Sequence, residues 1–340
     1  MVKHKSSLPV LLIGATGVVG KWGAKHLRRF QPDLPIVVGG RNLSKSKAVA
    51  DEIGNATAIA VDLNRLDLGL TEENQFSAVG IFFRDRTFNA QKFAQNRSIP
   101  FVTISGSVPV IGEDIATYIH GAQSSPVIIA SHWMAGIPST LAIHYAQDFH
   151  SIDHMEIVAN FDPNDEYGDG GADENQYLFP NDSNPLVIKD SVWTWERDEN
   201  NITHSNIQVD GMNKESTAHS FADVLSIGAS TKTKSFRFAV SMSESFGSKY
   251  GKRASHNITI EVQGKNFEGI PSTLSREIIS SNGQATMVGL GAAIILEQVL
   301  GLVDGNTAKA GLYFPENIVD AKHLEMRLSQ IDVQIRDLAI

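Results

Sequence analysis

The chain contains no cysteine. That absence removes disulfides, thiolate metal sites and every mechanism that proceeds through a cysteine nucleophile, although it names no compartment. Long apolar runs are missing too. The longest, ATMVGLGAAIILEQVL from Ala285 to Leu300, is shorter than a bilayer span and carries Glu297, so a buried helix is expected. In MVKHKSSLPVLLIG the apolar run stops at a glycine, too soon for a signal-peptide core. Positive charge is in the minority: 29 Lys and Arg against 38 Asp and Glu leave a net −9, which argues against nucleic acid or a membrane as partner. What remains is an ordinary globular composition without repeats, expected to be soluble and cytoplasmic. At 340 residues, two domains are the better expectation.

Strand and helix patterns alternate through the first part of the chain. LPVLLIG (Leu8 to Gly14), PIVVGG (Pro35 to Gly40), ATAIAVDL (Ala56 to Leu63), FSAVGIFF (Phe76 to Phe83), IPFVTISG (Ile99 to Gly106) and SPVIIAS (Ser125 to Ser131) read as strands. VVGKWGAKHLRRF, SKSKAVADEIG and NAQKFAQNRS read as helices between them, the second with Ser44 as N-cap and Gly54 at its end. This alternation predicts an α/β protein with a doubly wound parallel Rossmann sheet. From about 138 to 282 the texture changes to Asn-, Asp- and Ser-rich alternating segments such as SFRFAVSMS and NITIEVQG. These predict a second α+β domain on a mostly antiparallel sheet with one solvated face, suited to substrate binding and to building a homodimer. Residues from about 283 to 340 are expected to return as helices to the first domain, which comprises residues 1–137 plus this tail.

The turn GATGVVG follows the first strand and opens a helix. Gly14 permits the tight turn, Gly17 lets backbone approach a pyrophosphate, and Gly20 lets the helix lie close on the strand. Thr16, Val18 and Val19 complete this part of a dinucleotide site, with the phosphates on the free N–H groups of the helix start. NAD enzymes usually place an acid at the end of the second strand; here the chain reads VVGGRNLSKSK, and Asp33 lies at the strand's other end. Arg41 suits a 2′-phosphate, with Asn42 and Lys45 in support, so NADP (NADPH) is the expected cofactor. Asp62 after the third strand either reaches the adenine or caps its own loop. Leu63, Phe83 and Gly106, at the ends of the third, fourth and fifth strands, are the remaining candidates to line the cofactor.

Two classes sharing such a turn are excluded by their chemistry. Short-chain dehydrogenases need a tyrosine four residues before a lysine; the residues four beyond the six tyrosines are Ala122, Phe149, Gly171, Asn181, Ala254 and Asn317. Semialdehyde dehydrogenases need a cysteine. His132, His144, His150 and His154 show no zinc spacing, and no metal is expected.

The chain resembles the saccharopine dehydrogenase-like oxidoreductases. The resemblance rests on VLLIGATGVVGKWGAKHL and VVGGRNLSKSKAVADEI, on NAQKFAQNRSIPFVTISG with its turn at Thr103 to Gly106, and on PVIIASHWMAGIPSTLAIHYAQDF. It rests also on HNITIEVQG, QATMVGLGAAIILEQVLG and AGLYFPENIVDAKHLEMRLSQIDVQI at the C-terminal end. Where that family usually has Pro-Gly, this chain has Gly136-Ile137-Pro138. The resemblance implies action on a C–N bond of an amino-acid derivative.

The substrate groups are less constrained. Arg84 and Arg86 in FFRDRTF suit a substrate carboxylate, or else are tied to Asp85 or a neighbour. His132 is the first candidate proton donor, with Trp133 beside it. Tyr167 in DEYGDGG is either a substrate contact or part of an acidic surface loop. Trp193 and Trp195 read as sheet core rather than ligand platform, and Arg237 as a buried anion binder or an exposed strand residue. The expected function is imine reduction or amine oxidation on a small carboxylated molecule. The alternatives are a non-catalytic NADP-binding sensor and a reductase of C=C or C=O bonds.

Overall fold

The computed structural model describes residues 8–104, 106–166, 168, 184–196, 207–209 and 212–338. Its strands in chain order begin with β1 (Val10–Ile13), β2 (Ile36–Gly40), β3 (Ala56–Ala60), β4 (Ala78–Ile81), β5 (Phe101–Thr103) and β6 (Pro126–Ile129). Then come β7 (Phe149–Phe161), β8 (Leu186–Lys189), β9 (Val192–Trp195), β10 (Ile207–Val209), β11 (Met212–Lys214) and β12 (Thr217–Ala218). The last are β13 (Phe236–Met242), β14 (His256–Asn266), β15 (Pro271–Ser280), β16 (Gly311–Tyr313) and β17 (Val333–Asp337). The helices are α1 (Val18–Phe30), α2 (Leu43–Ile53), α3 (Asn89–Asn96), α4 (Val108–His120) and α5 (Ile137–Ala146). They continue with α6 (Asp223–Ser230), α7 (Phe246–Lys249), α8 (Gln284–Val299) and α9 (Ala321–Gln330).

The first sheet runs β3-β2-β1-β4-β5-β6-β16, every pair parallel. All six strands expected from the apolar runs are present. Their strands β1, β4 and β6 are buried along their length because helices cover both faces. The chain winds outward from β1 in one direction and from β4 in the other, so the switch point lies where α1 begins. β16 and α4 lie outside the sequence expectations. A half-buried strand of three residues has no period to detect, and α4 hides its pattern behind Pro109 and Gly112.

The second sheet runs β17-β15-β14-β7-β13-β8-β9, with β12 on β13, and is antiparallel except for β7 with β13. Phe236, Phe238, Ile258 and Ile260 alternate into the core. The opposite face corrects the expectation of a solvated surface. Glu156, Asn160, Asn257, Thr259 and Glu277 on it are all at most 3% exposed. Most of their polar groups find partners: Asn257 donates to Glu277 at 2.9 Å, Arg336 closes on the same carboxylate at 2.6 Å, Glu156 pairs with Arg237, and Asn160 bonds to Ser243. Trp193 and Trp195 are a second correction, being half exposed on the edge strand β9 rather than sheet core.

α8 is buried on nearly every side and packs on α1. Its Glu297 is fully buried because Arg327 of α9 reaches it at 2.6 Å and Gln31 donates to it at 2.7 Å. Among the described residues no helix is long and apolar enough to cross a membrane. The tail does not return wholly to the first sheet: β16 joins that sheet, but β17 closes the edge of the second.

Two substitutions test this packing. A methyl group on Gly289 of α8 would lie 2.5 Å from the backbone nitrogen of Gly23 in α1. Gly289→Ala should therefore cost roughly 1–3 kcal/mol in urea unfolding, the usual penalty of overpacking. Arg327→Met takes the guanidinium away from buried Glu297, and should cost about 3–5 kcal/mol by the same measurement.

Candidate functional site

The site opens where β1 stops. Gly14 takes φ +85°, and the Gly17 N–H donates to the Gly14 carbonyl at 3.0 Å, which closes the turn. Gly17 caps α1 with no side chain, and among the described residues no side-chain cap bond satisfies the first turn of the helix. Gly20 lies so close that an added methyl group would meet the Ala15 Cα at 2.7 Å. The Phe83 ring covers Gly14, with 2.6 Å to the place a methyl group would take. Among the described residues the added-methyl position at Gly17 meets only one atom, the Gly14 carbonyl oxygen at 3.4 Å. The turn is therefore closed on two sides and open on the third, where Thr16 and Gly17 are exposed and Val18 and Val19 half-buried. Gly168 approaches Val18 from the second domain, at 3.2 Å from the methyl position to Cγ2.

β2 and β3 lie beside β1 in parallel, so their C-terminal ends share this edge. Arg41 extends into solvent at the tip of β2, and Lys45 is exposed one helical turn on. Asn42, not Ser44, caps α2: its Oδ1 accepts from the Lys45 N–H at 3.0 Å. The cap falls two residues early because Leu43 and Ser44 already have helical backbone. Asp62 accepts from the backbone and side chain of Asn64 at 3.0 and 3.1 Å, which is the loop-capping alternative. The Leu63 carbonyl receives Thr87 and Asn89, tying the β3 loop to the start of α3. Gly106, at the end of β5, takes φ +146° and leaves no room for a side chain beside Ser131.

The substrate candidates fare differently. Arg84 is committed to its own chain: Nη2 pairs with Glu113 at 2.6 Å and Nη1 with Asp114 at 3.4 Å. Burial nonetheless pushes Asp114 up to about 6. Asp85 is taken up in capping α3, accepting from Thr87 and Ala90. Arg86 is exposed. Arg237 is paired with Glu156 on the neighbouring strand, so the anion it binds belongs to its own sheet. Tyr167 and Ser105 lie outside the described residues.

His132 is a correction. Its side chain is wholly buried, with Nε2 at 2.6 Å from Ser226 Oγ and 4.0 Å from Glu316. Burial lowers it to about 3, so it is a neutral imidazole at physiological pH and not an acid facing the cleft. Trp133 is buried as well. Its backbone N–H donates to Asp223 at 2.8 Å, its indole N–H donates to His256 Nε2 at 3.0 Å, and its ring lies on Phe221. The residues missed by sequence reading are thus Asp223, Ser226, His256 and Glu316. Each reads locally as ordinary helix, strand or turn, and only the meeting of the two sheets brings them to the end of β6.

No family model matches the chain, and no curated protein matches it in sequence. Solved structures do match it in fold. Saccharopine dehydrogenase (L-Glu forming) from Saccharomyces cerevisiae superposes with a TM-score of 0.68 at 12% identity, covering 98% of this chain and 100% of that one. A myo-inositol dehydrogenase from Corynebacterium glutamicum gives 0.52 at 13%, covering 98% and 99%. GenD2 from gentamicin A biosynthesis, in complex with NAD, gives 0.50 at 11%, covering 98% and 97%. At such identities the likeness is one of fold: the chain has the two-domain architecture of these dehydrogenases.

The buried histidines make stability depend on acid. Burial lowers His256 from 6.5 to about 4, although a bond to the Asn160 backbone opposes the shift. The unfolded chain then binds a proton that the folded chain refuses between those values. The contribution of His256 is complete above pH 6.5 and is lost as pH falls toward 4. His256→Gln should show a shallower loss than the wild type when urea midpoints are measured at pH 7, 6, 5 and 4.5.

Proposed function

We propose that the protein is an NADP-dependent oxidoreductase of the saccharopine dehydrogenase-like type, reducing an imine or oxidising an amine on a small carboxylated, amino-acid-derived substrate. The observation that carries this reading is the glycine turn at the switch point, closed by Phe83 and Gly20 and open at Gly17. A pyrophosphate fits the N–H groups at the start of α1 there. Arg41, exposed at the tip of β2 with no acid next to it in the chain, supports NADP over NAD. The fold-level likeness to saccharopine dehydrogenase supports C–N chemistry.

When bound, the reduced dinucleotide supplies a hydride. The chain's own part is orientation and exclusion of water. Phe83 covers the turn, and Arg86 at the end of β4 is the guanidinium best placed to hold a substrate carboxylate. An iminium brings its own proton, so its reduction needs no acid from His132. A homodimer built on the second domain belongs to the same proposal. One observation favours a second reading, a non-catalytic NADP sensor: the sealed His132 and the committed Arg84 leave neither of the two foremost substrate candidates free. Steady NADPH consumption with an amine and a 2-oxo acid would exclude that reading.

Arg41→Ala tests the cofactor choice. It should weaken NADPH about 10- to 100-fold in calorimetric titration, as expected for loss of a charge-assisted pair, and leave NADH nearly unchanged. Equal effects on both would sink the NADP assignment.

A further inference from the structure

β6 does not pass directly into α5. Between them the chain makes a turn in which Met134 and Ala135 take φ 50° and 52° and Gly136 takes φ 89°. Two consecutive residues with side chains in the left-handed region persist only where the surroundings over-determine them. Part of that restraint is steric. A methyl group on Gly136 would lie 2.5 Å from Pro315, and one on Gly291 of α8 would lie 2.6 Å from the Met134 carbonyl oxygen. The rest is polar and comes from α6, a helix packed on β13 and β8 of the second sheet. Asp223 and Ser226 stand three residues apart on one face of it. Asp223 accepts the Trp133 N–H at 2.8 Å, and Ser226 meets His132 Nε2 at 2.6 Å. Glu316, in the turn Pro315–Asn317, and the neutral His132 are the titratable groups facing this pair. Asp223 is fully buried with no cation bonded to it among the described residues.

β6 belongs to the half of the sheet beyond β1 that lies away from Arg41. In a doubly wound sheet the adenosine half lies toward Arg41 and the nicotinamide half over β4 to β6. We propose that Asp223 and Ser226 are positioning residues for the nicotinamide half of the cofactor site, acting by holding the left-handed turn at the end of β6. The proposal rests on the dinucleotide reading given above. It means that a helix of the second domain sets the floor on which the reactive end of the cofactor lies.

The test is to titrate NADPH and adenosine 2′,5′-bisphosphate, which lacks the nicotinamide half, into wild type, Asp223→Ala, Asp223→Asn and Ile260→Ala. Asn keeps an acceptor for the Trp133 N–H. Ile260→Ala opens a cavity in the second sheet and controls for general destabilisation. Asp223→Ala should weaken NADPH about tenfold while changing the bisphosphate less than twofold, and Asp223→Asn should restore most of the NADPH affinity. Ile260→Ala should change neither probe at a temperature where it is folded. Should Asp223→Ala fail to fold, Ser226→Ala carries the same comparison. Equal weakening of both probes, or of neither, overturns the positioning role alone. Wild type that binds neither probe overturns the dinucleotide reading and this proposal with it.

Discussion

Helix α8 packs against both α1 and the turn after β6, and its glycines set how close those two can come. Gly289 lets α1 approach until backbone meets backbone at Gly23, and Gly291 admits the turn after β6 on the same helix. A side chain at either position would push α1 or that turn outward. Because α1 opens at the glycine turn and β6 ends in the left-handed turn, both halves of the sheet edge are referred to one buried rod. Glu297 fixes the rod's far end, held by Gln31 just after α1 and by Arg327 of α9. A buried carboxylate is costly by itself, and here its partners offset that cost.

The polar groups buried between the sheets follow the same logic. His256 donates to the Asn160 backbone, keeps Nε2 free of a proton and so accepts the indole N–H of Trp133. One tautomer serves both bonds, and burial disfavours protonation there. Asp223 and Ser226 reach across from the second sheet to the end of β6. The domains are therefore joined by directional bonds as well as by apolar contact, and those bonds converge on the edge where the cofactor is proposed to lie.

Much of this was legible in the residues. The six apolar runs gave six parallel strands: β1, β2, β4, β5 and β6 need apolar residues on both faces because both are covered, while β3 lies half-buried at the sheet edge. The glycine spacing gave the turn, since contacts under 3 Å at Gly14 and Gly20 leave no room for a side chain. The second sheet was readable from its alternation, but its polar face was misjudged as solvated. Alternation reports which residues share a face and is silent on whether a neighbour covers it. Trp193 and Trp195 failed for a related reason: an edge position is a property of strand order, which no local window contains.

The sequence by itself determined the strand–turn–helix at Gly14 to Gly20, the basic tip of β2 and the exclusion of thiol and Tyr-Lys chemistry, because each depends on residues close together in the chain. The tertiary structure alone decided what became of His132, Trp133 and Arg84. Ser226 lies 94 positions from His132, and His256 lies 123 from Trp133. Whether a histidine at the end of a strand faces a cleft or a core is set by what folds over it. Here that covering comes from α6 and the Pro315–Asn317 turn, and burial decides the charge.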